Sequence, residues 1–263
     1  MRRLPHCLTK TTSETSCFST KYSILYRPRE YSTKRDIMQK LTTLLDRITI
    51  EPKKTATSCV IWLHGLGDSG AGFAPVVPLL NLPHNHAIRF VFPHAPEQAI
   101  SINNGFVMPA WYDIKNNDLH NRADMGGVLQ SESLVQALIQ EQIDNGIPAS
   151  NIVLAGFSQG GVMSLYTGLR FEQTLAGIIA LSCYLPIKDQ LPTELSTANK
   201  NTPVLQHHGK VDDVVPMSAG KMANELMKNK GYNTQWKTYP MAHSVLPEQL
   251  NDIGTWLTKY LAD

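Results

Sequence analysis

Residues 151–160 read Asn-Ile-Val-Leu-Ala-Gly-Phe-Ser-Gln-Gly, an apolar run followed by a serine between two glycines. The run 152–155 predicts a buried strand, and helical spacing of apolar residues begins directly behind Gly160. A serine at such a strand-to-helix turn adopts a crowded backbone conformation, which small flanking residues make sterically possible. The layout predicts a nucleophile elbow that presents the hydroxyl of Ser158 at the top of a sheet. Because ordinary turns share the pattern, a base, an acid and an oxyanion hole must be found elsewhere.

Short apolar runs alternate with helix-patterned stretches throughout residues 38–263, which predicts an α/β fold with a mostly parallel central sheet and helices on both faces. The stretch 59–64 is apolar on both faces, as expected of a central strand. The predicted strands are 48–50, 59–64, 88–92, 152–155, 177–182, 203–207 and 234–239.

Four helices are predicted between and after these strands. One covers 124–145 and ends before Gly146, and a second follows the elbow with one buried stripe. A third is capped by Ser218 and ends at Gly231. The fourth closes the chain with one apolar side. The apolar positions are Val162, Leu165, Tyr166 and Leu169 in the second helix and Leu246, Leu250, Ile253, Leu257 and Leu261 in the last.

The order of the catalytic residues along an α/β-hydrolase sheet is nucleophile, acid and base, so the base must follow the last strand. Only His243 does so, in the loop 240–244 before the final helix. His207 and His208 end the preceding strand, too early to be the base, and are interpreted as a buried strand-end histidine next to a polar one. The sequence therefore predicts His243 as the general base.

The acid is expected in the loop after strand 203–207, which contains Asp212 and Asp213. Either carboxylate could accept the Nδ1 proton of His243, fix its tautomer and stabilise the imidazolium. Spacing does not choose between them.

The loop 63–70, Leu-His-Gly-Leu-Gly-Asp-Ser-Gly, follows the central strand. Its G-x-G-x-x-G pattern would suggest dinucleotide binding, but that site also needs an acid about 20 residues further on. No acid occurs between Asp68 and Glu97. An oxyanion loop fits better, with the backbone amides of Leu66 and Gln159 as the predicted donors.

The composition fits one globular domain, with 42% apolar and 17% charged residues. No apolar run approaches the roughly 20 residues that span a bilayer. Residues 1–37 carry eight Lys or Arg and three acids, which leaves 16 basic and 19 acidic residues in the rest. That body has no basic footprint for nucleic acid.

Residues 1–37 are rich in Ser, Thr, Tyr and Arg and lack the apolar core of a secretory signal. They are interpreted as a transit-type presequence, a disordered tail or an upstream start with Met38 as the true beginning. The last two are favoured because no clear amphipathic helix or cleavage signal is present. The four scattered cysteines fit free thiols in a reducing compartment. A cytoplasmic protein is therefore expected, or an organellar one if 1–37 is a transit peptide.

Several segments together resemble the acyl-protein thioesterase and small carboxylesterase branch of the α/β-hydrolases, also called phospholipase/carboxylesterase. The resemblance runs from about residue 38 to the C-terminus and implies an α/β-hydrolase fold without a large lid domain. The segments are LHGLGDSG (63–70), FPHAP (92–96), MPAWYDI (108–114), GFSQGG (156–161), LSCYLP (181–186), HGKVDDVVP (208–216) and the pair His243-Ser244.

Carried over position by position, the resemblance implies Ser158 as nucleophile, His243 as base and Asp212 as acid. It implies the amides of Leu66 and Gln159 as oxyanion donors, in agreement with the choice made from the loops. Asp213 stands where the eukaryotic thioesterases often have proline, which leans toward the bacterial-type carboxylesterases. Residues 1–37 have no counterpart in the family pattern.

The segment 100–119 is predicted to lie near the site, with a hairpin turn at 103–105. Its Met108, Trp111 and Tyr112 either line an acyl channel, as the resemblance implies, or pack within a surface hairpin.

The expected reaction is hydrolysis of carboxylic esters or thioesters of acyl chains through an acyl-enzyme, with no metal or organic cofactor. The expected partners are a lipid-like acyl ester or an acylated protein, not nucleic acid, and no oligomeric state is specified. Lysophospholipase activity is an alternative, and a non-catalytic binding protein on the same fold is a less favoured one.

Overall fold

The computed structural model describes residues 45–119, 121–186 and 195–261. The predicted extension 1–37 lies outside the described residues, as do Cys7 and Cys17. Nine strands are described: β1 (Arg47–Ile50), β2 (Ser58–Leu63), β3 (Ile88–Pro93), β4 (Glu97–Ile100), β5 (Phe106–Pro109), β6 (Ile152–Phe157), β7 (Gly177–Leu181), β8 (Val204–Gly209) and β9 (Thr234–Tyr239).

Five α-helices are described: α1 (Gly70–Phe73), α2 (Met125–Asp144), α3 (Gln159–Gly168), α4 (Met217–Asn229) and α5 (Pro247–Leu261). Short 3-10 helices cover Ala74–Leu80, Ser101–Asn103, Ala149–Asn151 and Thr197–Asn199.

Seven strands form one sheet in the order β1-β3-β2-β6-β7-β8-β9. The pairing of β1 with β3 is antiparallel, and the other five pairings are parallel. The seven predicted strands are all present, with ends within two residues of those expected. The predicted mostly parallel α/β sheet is therefore confirmed.

Residues of the central strand β2 alternate between two hydrophobic cores. Cys59, Ile61 and Leu63 face the core that also contains α2 and α3 residues. Val60 and Trp62 face the core formed with α5 and Ala74–Leu80. Helices thus cover both faces of the sheet, which explains why this strand is apolar from Cys59 to Leu63.

Strands β4 and β5 form a separate antiparallel hairpin. Asn104 and Gly105 turn it with φ of 56° and 79°, a left-handed conformation that asparagine and glycine tolerate. The hairpin turn predicted at 103–105 is confirmed.

Two details of the helices differ from expectation. Helix α4 begins behind Pro216 without a side-chain cap, so Ser218 lies inside the helix and the predicted cap is wrong. Helix α3 is buried along all ten residues rather than along one stripe, because β6, β7 and α2 enclose it. A helix buried all round carries no amphipathic signal.

Candidate active site

Ser158 lies between the end of β6 and the start of α3, with φ of 53° and ψ of −118°. This conformation is rare for a residue with a side chain and typically costs about 1–3 kcal/mol. The Ser158 amide donates to the Leu181 carbonyl at 2.8 Å, which ties the turn to β7. The strand-to-helix turn predicted from the glycine spacing is present.

The two flanking glycines are needed for close backbone approach rather than for unusual φ. A Cβ added at Gly156 would lie 2.2 Å from the carbonyl oxygen of Gly160. A Cβ added at Gly160 would lie 2.2 Å from the carbonyl oxygen of Leu63. Both contacts are to backbone atoms, so neither can be relieved by a side-chain rotation.

His243 connects the elbow to the loop that follows β8. Its Nε2 lies 2.8 Å from Ser158 Oγ, and its Nδ1 lies 2.8 Å from Asp212 Oδ2. The ring of Phe157 packs against the imidazole with centroids 4.8 Å apart. The imidazole is therefore held between an accessible hydroxyl and a buried carboxylate.

Asp212 has all of its carboxylate oxygens in use. Oδ1 accepts the amide hydrogens of Val214 at 3.0 Å and Val215 at 2.8 Å, while Oδ2 faces His243. Its side chain is 0% exposed, whereas Asp213 is exposed. The structure thus brings Asp212 to His243 and leaves Asp213 at the surface.

The two strand-end histidines lie behind the acid loop. Burial lowers the pKa of His208, and in the neutral ring Nε2–H donates to the Val215 carbonyl at 2.8 Å. Burial also lowers the pKa of His207, to about 4, and its Nδ1 lies 3.4 Å from the Tyr239 hydroxyl. One of the two was expected to be polar, but both are buried because α4 covers the end of β8.

The predicted oxyanion donors belong to the loop after β2 and to the first residue of α3. Across the described residues, neither the Leu66 nor the Gln159 amide donates to a backbone carbonyl. Gly67, with φ of 75°, turns the loop, and its amide donates to the Pro109 carbonyl at 2.8 Å. Neither amide therefore has a backbone acceptor among the described residues, and a Cβ added at Gly65, next to Leu66, would lie 3.4 Å from Ser158 Cβ.

His64 anchors the start of this loop and was not singled out from the sequence. Its Nδ1–H donates to the Gly65 carbonyl at 2.7 Å, and its Nε2 accepts the Ala95 amide at 3.0 Å. Burial lowers the pKa of His64, which favours this neutral tautomer. Its place directly before a glycine-rich loop was the only signal that sequence offered.

The three residues predicted to receive substrate are placed differently. Met108 is half-buried, and its sulfur would lie 3.4 Å from a Cβ added at Gly67, so it borders the oxyanion loop. Trp111 and Tyr112 are 1% and 0% exposed and pack in the core. Both also contact the Gln159 side chain through their backbone, a contact that the sequence did not reveal.

Over residues 45–119, 121–186 and 195–261, no three His, Cys, Asp or Glu side chains cluster as metal ligands would. Within those same ranges, no helix has the length and apolar character needed to cross a bilayer. Cys59 and Cys183 are buried free thiols.

A parallel sheet covered on both faces, with a serine elbow behind its central strands, defines an α/β-hydrolase, and no large lid domain is present among the described residues. The sequence profile of the family described as phospholipase/carboxylesterase matches residues 46–261. The chain belongs to this family.

Two fungal relatives cover most of the chain. Acyl-protein thioesterase 1 of Gibberella zeae is 42% identical over 217 residues, which are 78% of this chain and 91% of the relative. Acyl-protein thioesterase 1 of Yarrowia lipolytica is 40% identical over 222 residues, which are 82% of this chain and 97% of the relative.

Solved plant structures are also similar. Arabidopsis thaliana SOBER1 has a TM-score of 0.74 and 31% identity, covering 78% of this chain and 99% of its own. Zea mays acyl-protein thioesterase 2 has a TM-score of 0.71 and 28% identity, covering 82% of this chain and 99% of its own.

Proposed function

We propose that this protein is a serine hydrolase that cleaves esters or thioesters of acyl chains through an acyl-enzyme intermediate. The observation that carries the proposal is the continuous chain of hydrogen bonds from Ser158 through His243 to Asp212, with 2.8 Å at each step. Nucleophile, base and orienting acid within such distances are what covalent acyl transfer requires.

In the first half of the reaction, Ser158 Oγ attacks the carbonyl carbon of the substrate while His243 Nε2 takes the hydroxyl proton. Asp212 accepts the Nδ1–H hydrogen bond, so it holds the reactive tautomer and stabilises the imidazolium. When the tetrahedral intermediate collapses, His243 returns the proton to the leaving thiolate or alkoxide. The acyl group remains esterified to Ser158.

In the second half, His243 takes a proton from water as the water oxygen attacks the acyl-enzyme. Collapse of the second intermediate releases the carboxylic acid and returns the proton to Ser158 Oγ. In both intermediates the amides of Leu66 and Gln159 donate to the oxyanion. One such donor is typically worth about 3–4 kcal/mol of transition-state stabilisation.

For the substrate, we propose acyl esters and thioesters, with acylated proteins as the finer candidate. The support is that two relatives at 40% identity or more are named acyl-protein thioesterases. Met108, half-buried beside the oxyanion loop, is the proposed contact for the acyl chain. The cytoplasmic location stays a prediction from the cysteines, and a tagged full-length chain imaged in cells tests it.

A chain-length series of p-nitrophenyl esters, acyl-thioesters and a lysophospholipid tests the proposal. We expect turnover of esters and thioesters by the wild type and a loss of about 10⁴- to 10⁶-fold in kcat for Ser158→Ala. Residual activity of Ser158→Ala at the wild-type level would refute the assigned nucleophile. Preference for the lysophospholipid over every thioester would favour the lysophospholipase alternative instead.

The same series, run with residues 38–263 beside the full chain, tests the predicted domain boundary. Equal kcat and KM for the two proteins are expected if 1–37 is an extension. A large loss of folded protein on removal of 1–37 would contradict the boundary.

A further inference from the structure

The two oxyanion donors belong to loops that are far apart in sequence, one after β2 and the other at the start of α3. Their spacing therefore depends on tertiary contacts between the loops. Both loops are hydrogen-bonded to the same short segment, residues 109–112, which consists of the last residue of the hairpin strand β5 and the three residues after it. We call residues 109–112 the bridging segment.

The side chain of Gln159 joins α3 to the bridging segment with two bonds. Its Oε1 accepts the Trp111 amide hydrogen at 2.7 Å, and its Nε2 donates to the Tyr112 carbonyl at 2.6 Å. An amide side chain is needed for this pairing because one end must accept and the other donate. Gln159, whose backbone amide is a proposed oxyanion donor, is thus held in place by its own side chain.

The other loop is joined to the bridging segment at two points. The indole Nε1–H of Trp111 donates to the His64 carbonyl at 2.9 Å, directly before the oxyanion loop. The Gly67 amide donates to the Pro109 carbonyl at 2.8 Å, directly after Leu66. Leu66 is therefore held from both sides by the same four residues that hold Gln159.

The bridging segment is itself well anchored. Gln159, Trp111 and His64 are 3%, 1% and 0% exposed. Ser131 of α2 donates to the Trp111 carbonyl, and the Trp111 and His64 rings pack with centroids 5.4 Å apart. Buried networks in which every group is satisfied are rigid, since any displacement leaves a polar group unpaired in a water-free site.

We infer that the Gln159 side chain and the Trp111 indole are positioning groups that keep the two oxyanion donors in register through the bridging segment. This inference rests on the proposed function, which assigns those donors. Neither group touches the substrate. They set the distance from the two backbone amides to the developing oxyanion. Their loss should therefore reduce stabilisation of the transition state more than it weakens substrate binding.

The test compares Trp111→Phe, which removes the indole donor but keeps a ring, with Gln159→Met, which removes both amide bonds at similar length. For each we expect kcat to fall about tenfold, a fraction of the about 10²–10³ lost with a whole oxyanion donor. KM should change less than about twofold, since ground-state binding is not involved. The double variant should lose less than the product of the single losses, because both act through one segment.

Inhibition by an alkyl trifluoromethyl ketone supplies the readout that a purely structural role would not move. Its adduct with Ser158 places an oxyanion at the two amides, so its Ki should rise by the same factor as kcat/KM falls. Active-site titration with a fluorophosphonate corrects for unfolded protein. Trp256→Phe is the matched control, since Trp256 is 6% exposed, lies in the opposite core and has an unpaired indole nitrogen among the described residues.

If kcat per titrated site and Ki equal the wild-type values in both variants, the inference is wrong even though the hydrolase is real. If Trp256→Phe loses as much kcat per site as Trp111→Phe, the effect is general core damage and the inference again fails. A wild type that neither hydrolyses acyl esters and thioesters nor binds the ketone would overturn the proposed function, and the inference with it.

Discussion

The elbow at Ser158 and the acid loop at Asp212 end two strands of the same sheet, but different forces hold them. At the elbow, backbone segments approach so closely that a Cβ on Gly156 would meet an oxygen at 2.2 Å. In the acid loop, hydrogen bonds from the Val214 and Val215 amides hold the carboxylate. The close backbone contact requires glycines, which can be recognised in the sequence. Almost any residue can supply a backbone amide donor, so the hydrogen bonds of the acid loop produce no recognisable sequence pattern.

The largest expected effect concerns the hydrogen-bonded side of this contrast. Asp212→Asn presents an amide group to His243 Nδ1 and disfavours the tautomer that can accept the Ser158 proton. We expect kcat to fall by about 10⁴-fold with little change in folding. Steady-state kinetics on a p-nitrophenyl ester measures this.

Asp213→Asn is the control for that experiment because it makes the same chemical change one residue away. Asp213 is exposed, so its kcat should stay within about twofold of the wild type, as for most surface substitutions. Equal losses in the two variants would mean that the acid has been assigned wrongly.

On the steric side, Gly156→Ala should cost at least about 3 kcal/mol of unfolding free energy, because the new methyl group meets backbone that cannot move aside. Chemical denaturation measures the loss. Gly126→Ala in the first turn of α2 is the control, since its nearest neighbour would be 3.6 Å away. It should be neutral or stabilising by up to about 1 kcal/mol, and a similar loss in both variants would argue against the close contact.

The β8 end of the sheet should also show the stronger acid sensitivity. Burial lowers the pKa of His207 to about 4 from an ordinary 6.5, so below 6.5 the unfolded chain binds a proton that the folded chain does not. Protonation of His207 in the unfolded chain therefore leaves the free energy of unfolding unchanged above pH 6.5. As the pH falls from 6.5 toward about 4, it lowers that free energy by up to about 3 kcal/mol. Denaturation of wild type and His207→Gln across this range should show a flatter pH dependence for the variant, and parallel curves would contradict the assignment.

Apart from the control variants, the smallest expected effect is that of His208→Phe, which keeps a ring but removes the donor to the Val215 carbonyl and the nitrogen 3.5 Å from Asp212 Oδ2. Loss of one buried hydrogen bond should cost about 1–3 kcal/mol of stability. We expect kcat to fall by less than about tenfold, because the Val214 and Val215 amides still hold Asp212. Comparison of kcat with that of Asp212→Asn shows whether the acid loop keeps its catalytic geometry without the His208 hydrogen bond. A fall in kcat as large as that of Asp212→Asn would mean that His208 takes part in the reaction itself.

The same contrast explains what could be predicted from the sequence. The five inner strands were found because buried parallel strands are short apolar runs, and the elbow was found through its glycines. The edge strands β1 and β9 were also found, although both are partly exposed. Spacing in the sequence could not identify the acid, because Asp212 and Asp213 are adjacent. Only the folded turn determines which of the two carboxylates is buried. The resemblance to known esterases favoured Asp212, and the structure places that residue against His243.

Other features left no readable pattern. The hydrogen bond between Gln159 and Trp111 of the bridging segment joins residues 48 positions apart. The local sequence around neither residue predicts this contact. The four apolar positions predicted to be buried in and directly after α3 are buried, but every other residue of this enclosed helix is buried as well, which its sequence pattern did not show. Tertiary hydrogen bonds and complete burial both require the fold before they can be seen.

The most direct test of the proposed mechanism is mass spectrometry of the acyl-enzyme. The protein is mixed with a p-nitrophenyl acyl ester, quenched in acid within the pre-steady-state burst and digested. One acyl group per chain is expected, on the hydroxyl of Ser158, and Ser158→Ala should carry none. An acyl group on any other residue, or turnover without a covalent adduct, would contradict the mechanism.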